Sequence, residues 1–369
     1  MMPPSRDEGA VRLLCVAGAR PNFMKLAPLL AELSGGARFA PLLVHTGQHF
    51  DDNMSGAFFR DLALPEPDFF LGAASGSHAR QTADIMQRFE PVLLETCPAA
   101  VVVVGDVNST LACALVAAKL LTPVFHVESG LRSFDRSMPE EINRLLTDAI
   151  STLLFVTEES GVRNLEAEGI DSSRIHLVGN LMIDSLLRHL DRARSLRVPE
   201  RLGVAPGKYG VVTLHRPSNV DQQDSLVEIL TALTEISREL PLLFPVHPRT
   251  RRQLEQVTLP EGDLRLLEPL GYLDFLGLMA DAAAVFTDSG GIQEETTVLG
   301  VPCFTLRENT ERPATITHGT NRLAGIRRGS ILEAWSAFRR QGAESRIPPL
   351  WDGRAAARCR EVIERYFFG

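Results

Sequence analysis

Continuous apolar runs of strand length recur along the whole chain, and each leads into a turn and, in most cases, a helical stretch. In the first half these runs are "VRLLCVAG", "APLLVHTG", "AVVVVGD", "PVFHVE", "TLLFVT" and "RIHLVG". Strands apolar on every residue, rather than on alternate ones, belong to a parallel sheet covered on both faces. Alternation with helices such as "TLACALVAAKLL" supplies the cover. Around 184–206 the character changes to a charged helix and a Pro/Gly-rich link, "IDSLLRHLDRARSLRVPERLGVAPG". The alternation then restarts with "YGVVTLH", "LPLLFPVH", "LRLLEPL", "AAAVFTD" and "VPCFTL". The pattern predicts two doubly wound, Rossmann-like α/β domains in tandem. The first covers 1–185 and the second 207–352, with a linker at 186–206 and a terminal helix over 353–369 that packs back on the first domain.

A chain of 369 residues has room for two such domains. Its net charge of −8 offers no basic field for a nucleic acid. The run from Val11 to Ala19 is too short to cross a membrane and is broken by Arg12. It also lacks the layout of a secretory signal, so the expected compartment is the cytoplasm. The five cysteines include no C-x-x-C pair, which argues against a disulfide framework and against a zinc site. Cys15, Cys113 and Cys303 lie in apolar runs and read as buried small hydrophobes.

Ligands of doubly wound sheets bind beyond the carboxyl ends of the strands. Arg20, Gln48, His49, Asp106 and Glu128 each follow a strand of the first half, and His215, His247 and Ser289 each follow one of the second. These groups converge if both sheets turn their carboxyl ends toward one cleft. In "VFTDSGGIQEE" Gly290 and Gly291 permit a tight turn, and the helix after them offers free N–H groups to a phosphate. Glu294 and Glu295 read as first-turn residues of that helix, either complementing its dipole or accepting from a ribose diol. The turn is not G-x-G-x-x-G, so no nicotinamide cofactor is indicated. In "GARPNFMKLAPL" Arg20 and Lys25 flank a strand-to-helix turn and suit a phosphate or a leaving group.

Asp106 closes an apolar strand in "VVVVGDVNST", Glu128 closes another in "PVFHVESGLRS", and Glu140 and Glu141 follow a proline in "SMPEEINR". Carboxylates gathered in one cleft suit general acid and base work, although Asp106 alone could simply cap the next helix. "HTGQH" spaces two histidines four apart, but Gly47 and the preceding strand disfavour a metal, leaving Gln48 and His49 as ligand contacts. "TLHRPSNVD" and "FPVHPRT" present His215, Arg216, His247 and Arg249 to a departing diphosphate. The polar stretch 307–323, with Arg307, Glu311 and Arg312, reads as a loop that clamps a ligand.

Taken in order, these motifs, together with "GNLMIDSL" and "EPLGYLDFLGLM", resemble the non-hydrolysing UDP-N-acetylglucosamine 2-epimerase family over about residues 12–325. The resemblance implies a glycosyltransferase-B-like fold, a homodimer, no cofactor and no metal. It implies interconversion of UDP-GlcNAc and UDP-ManNAc, with a related UDP-diacetamido sugar or a hydrolytic outcome as alternatives. Position by position, Asp106, Glu128 and Glu140 match the catalytic carboxylates, and His215 the histidine near the diphosphate. Arg20 and Lys25 match the cationic pair of the first loop, and Phe275 an aromatic near the uracil. Ser289, Gly290 and Gly291 match the phosphate turn, Glu295 the ribose-binding acid and Arg312 a diphosphate-binding arginine. The chain departs from the family at Pro217 and Ser218, where many members carry arginine and glutamate. Asp51 stands where many bacterial members carry a glutamine that holds an activating second substrate molecule.

Overall fold

The computed structural model describes residues 9–48, 59–246, 248–254, 257, 261–341 and 345–369. His49, His247 and Asp51 lie outside the described residues. The chain divides into two compact units, one of residues up to Ser185 together with Pro349–Gly369, the other Leu186–Pro348. Among the described residues no helix is long and apolar enough to cross a membrane.

The first unit begins β1 (Val11–Ala17), α1 (Arg20–Ser34), β2 (Phe39–His45), β3 (Phe69–Phe70), α2 (His78–Thr96), β4 (Ala100–Val104) and α3 (Asn108–Lys119). It continues with β5 (Val124–Ser129), α4 (Pro139–Ile150), β6 (Leu153–Val156), α5 (Glu159–Ala167), a 3-10 turn (Ser172–Arg174) and β7 (Ile175–Leu177). All pairings are parallel, in the order β3-β2-β1-β4-β5-β6-β7. The central strands β4 and β5 are buried at every residue; β4 accordingly reads as an unbroken apolar run, while β5 also buries His126, Glu128 and Ser129. Leu14, Val16, Val101, Val103 and Phe89 form the core on one side. The strand order reverses between β1 and β4, so the loops after these two strands open a crevice at the sheet's carboxyl edge.

The chain leaves this unit inside α6 (Leu181–Ser195), which is followed by α7 (Val198–Arg201). The stretch expected as a linker is therefore mostly helical. The second unit then runs β8 (Gly210–Thr213), α8 (Pro217–Val220), α9 (Gln223–Ser237), β9 (Leu242–Pro245), α10 (Pro248–Leu254), β10 (Leu264–Leu267) and α11 (Tyr272–Ala280). It ends with β11 (Ala284–Thr287), α12 (Gly290–Leu299), β12 (Cys303–Thr305), α13 (Ala314–Thr317), β13 (Asn321–Leu323) and α14 (Arg328–Gln341). Its sheet is also parallel, in the order β10-β9-β8-β11-β12-β13, and reverses between β8 and β11. Phe286 and Phe304 stack 4.9 Å apart in its core, with Trp335 beside both. The stretch 307–323 was expected to lack strand and helix. It contains α13 and the edge strand β13, because a three-residue edge strand shows too little of a pattern to read.

The terminal helix α15 (Ala355–Phe368) belongs to the first unit. Its rings pack on the sheet and on β2, with Tyr366 5.2 Å from Phe125 and Phe368 5.9 Å from Phe39. The Asp184 carboxylate accepts the first amides of that helix, from Ala355 at 3.1 Å and Ala356 at 2.8 Å. Trp351, fully buried, donates its indole N–H to the Thr157 carbonyl at 3.0 Å.

Candidate active site

In the first unit the loops after β1, β4 and β5 are tied to one another by side chains. Asn22, in the first turn of α1, accepts the amides of Gly18 (3.1 Å) and Ala19 (2.9 Å) and donates to the Val104 carbonyl at 3.0 Å. One residue thereby links the crevice's two walls, the ends of β1 and β4. Gly18 must be glycine because a Cβ there would lie 2.1 Å from Ser109 Oγ. Gln48 is half-buried, and its Oε1 accepts both the amide (2.9 Å) and the hydroxyl (2.6 Å) of Ser109, satisfying a free amide at the start of α3.

Glu128, next to last in β5, forms a bulge, with φ of 68° and the β5–β6 register shifting around it. A bulge re-aims a side chain, and here the carboxylate turns onto Lys25 of α1, with which it forms a buried ion pair. Breaking a buried pair by removing one partner costs about 3–5 kcal/mol. Gly105, at φ of 69°, passes close by, since a Cβ on it would lie 3.2 Å from Glu128 Oε2.

Asp106 follows directly. It does not cap α3, whose N-cap Val107 provides no side-chain bond. Instead its Oδ2 receives Arg144 Nε at 3.0 Å and Nη2 at 2.7 Å, and its side chain keeps 29% exposure. Arg144 Nη1 reaches Glu141 Oε2 at 2.5 Å. Glu141 is itself spent on structure, accepting the Ser133 amide, the Ser133 hydroxyl and the Phe134 amide at 3.0 Å each. Glu140, half-buried one residue earlier, makes no hydrogen bond or ion pair among the described residues. Sequence reasoning did not single out Asn22 or Arg144. The signal for Arg144 was available, four residues after Glu140 and three after Glu141 on one helical face. Arg20 begins α1 and is half-buried.

In the second unit the same construction repeats at β8 and β11. Asp288, fully buried after β11, accepts the amides of His215 (3.2 and 3.1 Å) and Arg216 (3.0 Å) and the Asn219 amide side chain (3.2 Å). Its Oδ1 also lies 2.8 Å from His215 Nδ1. Burial works to raise this carboxyl, but the His215 bond and charge and the amide bonds outweigh it and hold it below the usual carboxylate range. The contact fixes the His215 ring with Nδ1 toward Asp288, while the side chain stays 57% exposed. Sequence reasoning gave Asp288 no role.

Ser289 is the N-cap of α12 but makes no side-chain cap, so the amides that open the helix are not satisfied by it. Arg312 lies directly on this turn: a Cβ at Gly290 would stand 2.4 Å from Arg312 Nη1. The guanidinium is held by Glu294, at 2.9 Å from Nε, and by Glu311. Glu311 also takes Arg307 Nη2 at 2.7 Å and lies 3.6 Å from Arg216. Burial works to raise the Glu311 carboxyl, and the surrounding arginines instead hold it well below its ordinary value. The turn therefore gathers three guanidinium groups around one buried carboxylate at a helix N-terminus. Glu294 and Glu295 are not in the first turn, as expected from sequence, but a turn later and buried, because α12 begins already at Gly290. Gln293 fastens the neighbouring loop, its Oε1 accepting from Thr310 (2.7 Å) and Asn321 (3.1 Å). Phe275 sits half-buried on α11.

Comparison with known proteins gives this geometry a context. Residues 31–364 match the family model described as UDP-N-acetylglucosamine 2-epimerase. A UDP-N-acetylglucosamine 2-epimerase of Methanocaldococcus jannaschii is 42% identical over 334 residues, covering 88% of this chain and 91% of that protein. A UDP-2,3-diacetamido-2,3-dideoxy-D-glucuronate 2-epimerase of Pseudomonas aeruginosa is 41% identical over 327 residues, with the same coverage of 88% and 91%. The crystal structure of the Methanocaldococcus jannaschii UDP-GlcNAc 2-epimerase in complex with UDP-GlcNAc and UDP superimposes with a TM-score of 0.89 at 39% identity, covering 96% of this chain and 100% of that one.

Proposed function

The chain belongs to the UDP-N-acetylglucosamine 2-epimerase family, and from that membership we propose that it inverts C2 of UDP-GlcNAc to give UDP-ManNAc, without cofactor and without net hydrolysis. Its two parallel-sheet units are of the glycosyltransferase-B-like kind. The observation that carries the reading is the pair of acids on neighbouring strand ends, each with its own cation: Asp106 with Arg144 and Glu128 with Lys25. A reaction that takes a proton from carbon and returns one to the opposite face needs two such groups.

The C2–H of the sugar is not next to a carbonyl, so removing its proton gives no enolate. The route open to these residues is elimination. A carboxylate from the set Asp106, Glu128 and Glu140 takes the C2 proton as the C1–O bond breaks, and the bonding electrons leave with the UDP oxygen. The product is 2-acetamidoglucal with a C1–C2 double bond. A proton then returns to C2 from the other face, and the same UDP oxygen re-forms the bond to C1. The returning proton comes from a second carboxyl of the set, and the two acids then re-equilibrate their protons with water, so that atoms and charge balance without an oxidant or reductant.

The departing diphosphate needs fixed positive charge, and groups oriented in advance lower that barrier by several kcal/mol (about 3–4 for a single donor). In this reading Gly290 and Gly291 offer amides, Ser289, whose own amide donates to Thr287 Oγ1 at 3.0 Å, offers its hydroxyl, Arg312 lies over the turn, and His215 presents Nε2 with its ring set by Asp288. Glu295 holds the ribose, Phe275 lies by the uracil, and Arg20, Lys25, Gln48, His49 and His247 complete the contacts to substrate.

The near-equal likeness to the Pseudomonas aeruginosa relative favours a second reading, in which the sugar carries a 3-acetamido group and a C6 carboxylate. One experiment addresses both. The protein is incubated in deuterated water with UDP-GlcNAc and, separately, with the diacetamido uronate, followed by proton NMR. The first reading requires UDP-ManNAc to appear with deuterium at C2. Retention of the original hydrogen, or accumulation of free UDP and ManNAc, would sink the elimination and re-addition route.

A further inference from the structure

His126 is fully buried in β5, and together with Asp148 it reaches both turns bearing the proposed acids. Its Nε2 lies 2.8 Å from the carbonyl of Gly105, the residue before Asp106. Its Nδ1 lies 2.6 Å from Asp148 Oδ1, on α4. A carbonyl and a carboxylate are both acceptors, so a ring that bonds to both must donate from both nitrogens. The other oxygen of Asp148 accepts the amide of Gly130, two residues after Glu128, at 3.1 Å, and Arg132 Nη2 at 2.7 Å. Arg132 in turn makes a two-pronged contact with Glu168, at 2.8 and 2.7 Å. The chain His126, Asp148, Arg132, Glu168 thus alternates positive and negative charge and closes neutral. Burial works to raise Asp148, and the charges and hydrogen bonds of His126 and Arg132 reverse the direction and hold it below its ordinary value.

The two backbone groups held by this chain are both left-handed glycines, Gly105 at φ of 69° and Gly130 at 79°. They bracket the acids, one directly ahead of Asp106 and the other just past the bulge at Glu128. A Cβ at Gly130 would stand 2.5 Å from the Gly161 carbonyl oxygen, so that turn admits no side chain there. We propose that His126 and Asp148 are positioning residues for the epimerisation: one buried ion pair fixes the backbone of both acid-bearing turns, so that Asp106 and Glu128 keep their geometry relative to each other. Neither residue touches substrate, and neither was legible as functional in the sequence. The proposal rests on the epimerase reading above.

The test uses the full chain carrying His126→Gln or Asp148→Asn. Each is assayed for kcat and KM with UDP-GlcNAc, for UDP affinity and number of sites by calorimetry, and for amide hydrogen exchange. Misplacing a reacting group by about 1 Å costs up to about 100-fold in rate. The expected result is a fall in kcat of about 10- to 100-fold, with KM, UDP affinity and one UDP site per chain kept within two-fold. Exchange should quicken at residues 105–107 and 128–131 while β1 and the second unit keep wild-type protection. Unchanged kcat, or a loss that tracks a loss of UDP sites with faster exchange throughout the sheet, overturns the proposal and leaves the pair a plain packing element. Wild-type protein that leaves UDP-GlcNAc untouched would refute the epimerase reading by itself. The exchange pattern would still decide whether this pair holds the two turns.

Discussion

Replacing Gly290 by alanine separates the proposed diphosphate seat from the stability of the fold. The new methyl would lie 2.4 Å from Arg312 Nη1, 2.7 Å from its Cζ and 3.0 Å from Glu311 Oε1. Ordinary contact begins near 3.4 Å, so the guanidinium must withdraw by roughly 1 Å from the turn. Gly290 is not among the left-handed glycines, so alanine suits its backbone. As the first residue of α12 it gains helix propensity, at most about 1 kcal/mol. What the substitution removes is the alignment of one charged donor with an anion, about 1.5–3 kcal/mol. Each 1.4 kcal/mol is tenfold in affinity, so UDP should bind about 10- to 100-fold more weakly by calorimetry. Gly329→Ala on α14 of the same unit, where nothing lies within 4 Å, serves as the matched control and should bind UDP as wild type does. Wild-type UDP affinity in Gly290→Ala would refute the assignment of Arg312 to the diphosphate. A parallel loss in the control would show that the effect is not local.

Asp106→Asn and Glu128→Gln should each lose epimerisation while binding UDP at near-wild-type affinity; turnover within a few-fold of wild type in either variant would remove that residue from the chemistry. His45, buried against Phe23 and Phe70, is lowered by burial from its ordinary 6.5 to about 4. Because the unfolded chain takes up this proton first, the associated stability is present in full above pH 6.5 and is lost as pH falls toward and through about 4. The shift corresponds to about 3 kcal/mol, and urea midpoints across that window should show the slope in wild type and lose it in His45→Phe.

The central strands were readable because burial on both faces leaves no polar position to interrupt them, as in "AVVVV" of β4. The shortest edges were not: β3 has two residues and β13 three, so little apolar content marks them, whereas the edge strands β7 and β10 showed in "RIHLVG" and "LRLLEPL". The proposed acids were legible by their places at strand ends, but their partners were not. Asp106 finds Arg144 38 positions away, and His126 finds Asp148 22 away, distances at which no local pattern reports a contact. The helix start at Gly290 escaped for the opposite reason, since glycine gives a poor signal for helix and a good one for a turn.

A left-handed backbone at Glu128 has a consequence for the protein's history as well as its chemistry. Residues other than glycine lose roughly 1–2 kcal/mol in that conformation. Glycine would relieve that cost at position 128, but it would also leave the buried Lys25 ammonium without its partner, a loss of about 3–5 kcal/mol. A library screened for heat resistance alone would therefore keep the acid, because the buried pair outweighs the backbone cost. The acid at this bend is held by its ion pair with Lys25 against the steady pull of the backbone beneath it.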